Sequence, residues 1–288
     1  MELYTPLLFL LFLCFVKGFS IPCAYALMLN KTKEAYTAVF NKIMDLGVAN
    51  GLNIDPPLMI MDFERGAAMA AHDVWPNCRV RFCNFHFKQS LWSRFRDEHL
   101  QPVYTNQPIH PDGSRCNMKK IYHKILVMGD LPHQVVGVNY TLFMGDAQVQ
   151  AETAAHPTFL TWLGYVNRVY MNPDPQFLCY RPVTWNVFDR NRETRTNNIC
   201  EGFNSRFKGD MGIHPEFFPF VGQLKREETR ALVKIRAAHA GEDPPRSKKK
   251  YIDLDRKLST LKDTYNRNGN IPDLWRDVQE AHFFSKMG

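Results

Sequence analysis

Short apolar segments alternate with amphipathic segments in the first part of the chain, and this alternation restricts the fold to a small set. Residues 21–29 (IPCAYALML) and 58–61 (LMIM) are too short for buried helices, and residues 78–87 (CRVRFCNFHF) alternate in part, so all three predict strands. Helical periodicity separates them at residues 31–51 and 66–74. The resulting order predicts an α/β fold in which helices flank a mixed sheet.

The apolar run of residues 7–16 (LLFLLFLCFV) permits two interpretations. Its length matches the hydrophobic region of a secretory signal peptide and is short for a membrane span. No Lys or Arg precedes it, however, and Glu2 is the only early charge, which is atypical of a signal peptide. The second interpretation is a buried strand at the start of a domain. The residues alone leave both interpretations open.

A mild positive charge favours a polyanionic partner. The formal net charge is +7, a value that suits nucleic acid but that many unrelated proteins share. Hydrophobic residues make up 45% of the chain, which allows a sizeable core and excludes global disorder. The seven cysteines are odd in number and scattered, which indicates reduced thiols in a cytosolic or nuclear protein.

Two carboxylates are candidates for metal-dependent chemistry. Asp62 directly follows the predicted strand of residues 58–61, and open α/β sheets place ligand and metal sites at that end of a strand. Glu201 lies in a predicted helix over residues 196–208. Carboxylate oxygens suit Mg²⁺ and Mn²⁺, and two such ions can clamp a phosphodiester. The simpler alternatives are a helix N-cap for Asp62 and a solvated helix residue for Glu201.

Cys83 and His86 have the Cys-x-x-His spacing of half a Zn²⁺ site. Two ligands do not complete a tetrahedron, and no other Cys or His lies at a diagnostic spacing from them. The alternative is a small buried thiol beside a hydrogen-bonded core histidine. The residues favour neither interpretation.

Basic residues interleaved with aromatic residues are candidates for contacts with DNA phosphates. They could equally be ordinary solvated positions on helix faces. The candidates are Lys88, Arg94, Arg195, Arg206 and Lys208.

Three segments, in the same order, resemble the transposase domain of Mutator-like elements, the MULE family. Residues 59–95 carry its Asp-Phe-Glu after a strand, its Ala-rich helix ending in an aromatic-Pro pair, and its Cys-x-x-His-x-x-Gln. Upstream, residues 21–36 (IPCAYALMLNKTKEAY) match its Pro, short strand, Lys-Thr pair and Tyr. Downstream, residues 185–208 (WNVFDRNRETRTNNICEGFNSRFK) resemble its Trp, Arg-Thr-Asn-Asn and Glu-Gly segment.

The resemblance implies an RNase H-like mixed sheet flanked by helices and interrupted by a helical insertion before the last acidic residue. Asp62 would be the second metal-binding carboxylate and Glu201 the third, with Mg²⁺ or Mn²⁺ as cofactor and DNA cleavage and strand transfer as the chemistry. The implied divisions are the first part of the core at residues 1–100, the insertion at 101–180, the end of the core at 181–240, and a basic linker with polar C-terminal helices at 241–288.

One departure from the family matters for activity. The family's first Asp stands on the opening strand, just before a Leu-Tyr-Thr-like string, and this sequence begins at such a string, Met1-Glu2-Leu3-Tyr4-Thr5. We therefore expect an N-terminally truncated core with an incomplete metal site and little transposition. The alternative function is a non-enzymatic DNA- or protein-binding module that keeps the fold. A nuclear protein that binds DNA is expected, with a homo-oligomer as one option for its assembly and without a membrane partner. Secretion, from residues 7–16, is the alternative.

Overall fold

The structure is a computed structural model and describes residues 8–190, 198–211, 216–245 and 249–284. These residues form a mixed α/β structure that is mostly helical and has two small sheets. Among the described helices, none is long and apolar enough to cross a lipid bilayer. In chain order, the strands and α-helices are β1 (Leu8–Val16), β2 (Phe19–Met28), α1 (Lys33–Ala49), β3 (Leu58–Met61), α2 (Arg65–Val74), β4 (Arg79–Phe82), α3 (Asn84–Asp97), α4 (Gln101–Asn106), α5 (Met118–Leu126), α6 (Val136–Met144), α7 (Ala147–Ala155), α8 (Pro157–Val166), α9 (Pro182–Trp185), α10 (Asn198–Met211), α11 (Phe217–Ala240), α12 (Lys249–Asn268) and α13 (Ile271–Phe284).

The chain divides into two compact units. Unit 1 comprises the described parts of residues 1–59, 64–80 and 197–247. Unit 2 comprises the described parts of the remaining residues, 60–63, 81–196 and 248–288. Unit 1 therefore holds β1, β2, α1, α2, α10 and α11, whereas unit 2 holds α3 to α9 with α12 and α13. Strands β3 and β4 contribute residues to both units.

In unit 1, β1 and β2 form an antiparallel hairpin with a two-residue turn. Val16 pairs with Phe19, and the turn residues Lys17 and Gly18 have φ values of 48° and 81°. A turn with two positive φ angles matches the twist of the strands that it joins. Residues 8–16 therefore lie in a strand, as the strand interpretation of the apolar run predicts. The predicted burial is wrong for the end of this strand, because residues 14–16 are exposed.

Aromatic rings pack α1 and α2 against this hairpin. The Phe40 ring on α1 lies 5.9 Å from the Phe12 ring on β1 and 5.1 Å from the Trp75 ring at the end of α2. The indole Nε1 of Trp75 donates a hydrogen bond to the Ile54 carbonyl at 2.8 Å, which satisfies its polar atom inside the core.

Helix α11 covers part of β2. Phe19 and Ile21 are buried in one cluster with Ala231 of α11. Lys234 Nζ donates a hydrogen bond to the Ser20 carbonyl at 2.9 Å. These contacts join chain segments that are far apart in sequence into unit 1.

Strands β3 and β4 pair in parallel, with α2 as the connection. Arg79 N donates to the Pro57 carbonyl at 3.1 Å and Cys83 N donates to the Met61 carbonyl at 2.9 Å, so both strands advance in the same direction. A parallel pair ends on one edge, where the residues that follow each strand lie close together. Asp62 is the residue that follows β3.

In unit 2, α3 begins earlier than its sequence suggests. Residues 78–87 were predicted as one strand, but the strand ends at Phe82 and the helix starts at Asn84. Asn84, Phe87 and Leu91 are buried at helical spacing, and the Phe87 ring stacks on Trp185 at 4.2 Å. Burial on one helix face therefore outweighs the local strand-like alternation.

The C-terminal helices α12 and α13 contribute to the core of unit 2. Leu258 of α12 and Leu274 and Val278 of α13 are buried in one cluster with Val127 and Leu131. Trp275 Nε1 also donates a hydrogen bond to the Lys124 carbonyl at 3.0 Å. Each of these mostly polar helices therefore has a narrow apolar face that packs into the core of unit 2.

The expected α/β class is confirmed as a mixed and mostly helical structure. The expected single mixed sheet is not present among the described residues, whose strands pair in two separate two-stranded sheets, β1 with β2 and β3 with β4. β3 and β4 have four residues each, so the ladder that they form is short. The RNase H-like arrangement of a larger sheet stays a prediction.

Candidate functional site

Asp62 lies where the sequence predicted, at the C-terminal end of β3. Its carboxylate is about half exposed, with 47% of the side chain accessible, so a solvent ion can reach it. His86, on the first turn of α3, places Nδ1 at 3.0 Å from Asp62 Oδ1. The parallel pairing of β3 and β4 creates this contact, because α3 starts immediately after β4. The arrangement can hold a carboxylate in a fixed orientation at the edge of the strands.

An aromatic cluster in unit 2 supports the backbone next to Asp62. The Phe63 ring stacks on Phe82 at 4.7 Å and lies 5.2 Å from the Tyr180 ring. The Tyr180 hydroxyl donates a hydrogen bond to the Phe63 carbonyl at 3.2 Å. The ring contacts and the hydrogen bond restrict the position of Phe63, and therefore of the backbone that leads from Asp62.

Cys83 is fully buried at the N-cap of α3, one helical turn before His86. The two residues are therefore close, as their spacing predicts. Within the described part of the chain, however, neither belongs to a set of three His, Cys, Asp or Glu side chains with ligand atoms close enough for one metal ion. Zinc binding by Cys83 and His86 stays a prediction.

Glu64, the last residue of the Asp-Phe-Glu string, has a separate role in unit 1. Its Oε1 lies 2.5 Å from Lys31 Nζ. Gly66 follows on the first turn of α2, where a Cβ atom would lie 2.8 Å from the Lys31 carbonyl oxygen. The string therefore joins the start of α2 to the segment before α1.

Glu201 lies on α10, in agreement with the helix predicted for it. Its side chain is outside the described residues, so the expected approach of the Asp62 and Glu201 carboxylates stays a prediction. Arg195 and the Lys208 side chain are also outside the described residues.

The described basic candidates already have partners within their own units. Arg94 Nη2 lies 2.6 Å from Glu98 Oε1, and its guanidinium lies over the Tyr165 ring at 5.5 Å. Arg206 donates two hydrogen bonds, both 2.7 Å long, to the two carboxylate oxygens of Glu227. Lys88 is partly buried on α3. Contact with DNA by these three residues stays a prediction.

The structure brings together one group of metal-ligating side chains that the sequence did not single out. His110, Cys116 and Glu152 of unit 2 place their ligand atoms within 4.8 Å of one another, and they are the only such set of three in the described residues. Residues 106–115 (NQPIHPDGSR) are rich in proline and polar residues, as is typical of a loop, so His110 does not stand out in the sequence. The sequence does contain a signal for this group: a His-x5-Cys pair followed by a Glu-x3-His pair. These spacings are too common to identify a metal site by themselves.

Comparison with known proteins supports the identity of the N-terminal part. Residues 4–90 match the family model described as the MULE transposase domain. The resemblance recognised from the sequence is therefore confirmed over a segment that includes Asp62, Cys83 and His86 and ends before Glu201. No curated protein and no solved structure matches the chain.

Proposed function

We propose that this MULE transposase domain binds DNA and holds a divalent cation at Asp62. The observation that carries the proposal is the position of Asp62: it lies inside the matched segment, at the end of a parallel strand, partly exposed and in contact with His86. The order of hairpin, helix, strand, helix and strand in residues 8–82 also supports the RNase H-like core that the resemblance implies.

The donor at Asp62 suits the proposed cation. A carboxylate is a hard oxygen ligand, which Mg²⁺ and Mn²⁺ prefer. His86 would orient the carboxylate, as outer partners of metal ligands commonly do. Bound there, the ion would polarise a phosphate group and favour formation of the attacking oxygen nucleophile. Glu201 is the proposed second carboxylate, on the strength of the family resemblance alone.

The proposed metal site is incomplete for efficient cleavage. In-line cleavage by two metal ions requires ligands that clamp both the attacking and the leaving oxygen. Asp62 and Glu201 supply two carboxylates, and Asp62 belongs to no three-ligand set within the described residues. We therefore expect the chain on its own to bind DNA while cleaving it at a low rate. If the rate of DNA cleavage is zero, the chain has a DNA-binding role alone.

The test combines DNA binding with plasmid nicking. The full chain is titrated into labelled duplex DNA at several salt concentrations, and supercoiled plasmid is incubated with it in Mg²⁺ or Mn²⁺. Asp62→Asn is compared with Asp73→Asn as a control. Asp73 is similarly exposed but lies on α2, where its carboxylate is 2.6 Å from Lys33 Nζ. We expect salt-sensitive binding by all three proteins and nicking close to background.

Two outcomes would contradict the proposal. The absence of DNA binding at low salt would remove the DNA function. Rapid nicking that Asp62→Asn abolishes and Asp73→Asn preserves would contradict the expected low cleavage rate, because it would show a complete active site at Asp62. In the binding assay, Lys88→Gln should reduce the slope of log affinity against log salt by about one if Lys88 contacts a phosphate.

We also infer a nuclear location, because the proposed partner is chromosomal DNA. A chain tagged at its C-terminus and expressed in cells should give a nuclear signal. Accumulation in the secretory pathway would instead support the signal-peptide interpretation of residues 7–16.

A further inference from the structure

We propose that His110, Cys116, Glu152 and His156 form a structural site for Zn²⁺ in unit 2. The site shares no residue with the candidate site at Asp62, and its argument does not depend on the proposed DNA function. It rests on four side chains that two segments of backbone bring together and on the burial of Cys116 and Glu152. It also rests on one buried imidazole nitrogen that has no hydrogen-bond partner within the described part of the chain.

A closed loop presents the first two ligands. Ile109 and Arg115 form an antiparallel bridge, and Cys116 N donates a hydrogen bond to the Pro108 carbonyl at 2.9 Å. This pairing folds residues 108–116 back on themselves. His110 and Cys116 therefore lie close together although five residues separate them in the sequence.

The end of α7 presents the other two ligands. Glu152 lies in the last turn of the helix, and His156 follows at the position where α7 ends. Residues four apart lie on the same helix face, so the Glu152 carboxylate and the His156 ring point to the same side. Glu152 Oε2 and His156 Nε2 are 4.0 Å apart.

The distances suit a tetrahedral ion after small adjustments. Glu152 Oε1 lies 3.1 Å from His110 Nε2, and Glu152 Oε2 lies 3.2 Å from Cys116 Sγ. Zn²⁺ bonds to sulfur and nitrogen place tetrahedral ligand atoms about 3–4 Å from one another. The ligand atoms of His110, Cys116 and Glu152 all lie within 4.8 Å of one another. His156 Nε2 lies 4.0 Å from Glu152 Oε2 but outside that set of three, so its side chain must shift toward the other ligands to complete the tetrahedron.

Burial makes a cation favourable at this position. Glu152 and Cys116 are each 2% exposed, and a buried carboxylate requires compensating positive charge. The hydrogen-bond and ion-pair partners of Glu152 in the described residues include no Lys or Arg. A divalent cation bound between the imidazoles and the thiol would supply that charge.

His156 provides an independent indication. Its Nε2 is buried, has no hydrogen-bond partner among the residues that the structure describes, and lies 4.0 Å from Glu152 Oε2. Buried polar atoms of this kind are uncommon and call for a missing partner such as an ion or a water molecule. A metal ion would accept the lone pair of this nitrogen.

The donor set selects the metal. Two imidazoles, one thiolate and one carboxylate suit Zn²⁺, whereas Mg²⁺ and Ca²⁺ take oxygen ligands almost exclusively. On binding, the Cys116 thiol proton passes to solvent and the thiolate sulfur forms the bond to zinc. Four protein ligands complete a tetrahedron and leave no open position, so the expected role is to hold the loop of residues 108–116 on α7.

The test uses the full chain, stripped with a chelator and then titrated with Co²⁺ or Zn²⁺ alone. We expect a cobalt–thiolate charge-transfer absorption that saturates at one equivalent per chain and that Zn²⁺ removes, together with a higher Tm in Zn²⁺. Cys116→Ser should abolish the thiolate absorption, and His156→Gln should weaken Zn²⁺ affinity at least tenfold. His133→Gln is the matched control, because its ring is 29% exposed against 22% for His156 and the residue lies in neither candidate metal site.

Three results would overturn the proposal. One is the absence of a cobalt–thiolate absorption at excess Co²⁺. The second is unchanged Zn²⁺ affinity in both Cys116→Ser and His156→Gln. The third is a thiolate absorption that disappears in His86→Gln but persists in Cys116→Ser. That result would assign the metal to Cys83 and His86. Because His156 is partly exposed, its variant keeps the test decisive if Cys116→Ser fails to fold.

Discussion

His86 Nδ1 lies 3.0 Å from Asp62 Oδ1, and this contact joins the first turn of α3 to the end of β3. It follows from the parallel pairing of two short strands, which sets the residues after each strand side by side. The contact gives the candidate metal ligand a defined orientation. It also makes His86 a positioning residue whose contribution can be measured separately from that of Asp62.

Removing this contact should weaken metal binding at Asp62. His86→Ala frees the carboxylate to rotate, and losing an outer partner of a metal ligand typically costs about tenfold to a hundredfold in affinity. Fe²⁺ in place of Mg²⁺, with ascorbate and peroxide, should cut the backbone near residue 62, and the variant should give at least tenfold less cleavage there. His133→Ala serves as the control. Equal cleavage in the wild type and His86→Ala would show that His86 does not position the carboxylate.

Arg206 should contribute to stability through Glu227. The Glu227 side chain is 1% exposed, and both of its oxygens accept hydrogen bonds from Arg206. Arg206→Lys replaces the two-pronged donor with a single ammonium, so we expect the free energy of unfolding to fall by about 1–2 kcal/mol. Urea denaturation measures it, with the exposed Arg236→Lys as control. An unchanged urea midpoint would mean that Arg230, 2.5 Å from Glu227, suffices alone.

The same carboxylate should make unit 1 sensitive to acid. Burial by itself would raise the pKa of Glu227, but the hydrogen bonds from Arg206 and Arg230 hold that pKa below its ordinary value of about 4.5. Its stabilising contribution is therefore present above about pH 4.5 and is lost as the pH falls through the lower folded-state pKa. Glu227→Gln should flatten the decline of stability in that window. A decline as steep as that of the wild type would assign the acid sensitivity to other carboxylates.

Gly66 should tolerate no side chain. A Cβ there would lie 2.8 Å from the Lys31 carbonyl oxygen and 3.2 Å from Lys33 N, and both are backbone atoms with little freedom to move. We expect Gly66→Ala to destabilise the protein by about 1–3 kcal/mol. Gly222→Ala, inside α11 with its nearest atom at 3.8 Å, should instead stabilise by about 0.5–1 kcal/mol. Equal effects of the two substitutions in thermal denaturation would show that α2 can move away from the start of α1 at no cost in stability.

Cys14 should be the most reactive thiol of the hairpin. Its Sγ lies 3.0 Å from Cys23 Sγ, and the hydrogen bond with Cys23 lowers the pKa of Cys14 to about 7. Because the thiolate is the reactive form, alkylation of Cys14 by iodoacetamide should reach half its maximal rate near pH 7. Cys23→Ala should move that midpoint to about 8.5, the value of an unperturbed cysteine. The same midpoint in both proteins would contradict the assignment.

Several features of this protein follow from its sequence alone. The strand at residues 58–61, the helices beginning near Lys33 and Arg65, and the position of Asp62 at a strand end are all predicted correctly. The resemblance to the MULE transposase domain is also recognisable from short strings, and the match over residues 4–90 confirms that resemblance for this segment. These features are local: periodicity reports which face of a segment becomes buried, and prolines, glycines and charges mark where segments end.

The tertiary structure decides the features that join distant residues. It turns the second half of a predicted strand into the start of α3, because Phe87 packs on Trp185 from a remote part of the chain. It pairs Asp62 with His86 and Arg206 with Glu227, and it assembles His110, Cys116 and Glu152 from a loop and a helix. These pairings cannot be predicted from side-chain type and spacing. They depend on which faces of the helices and strands pack together after the loops between them have closed.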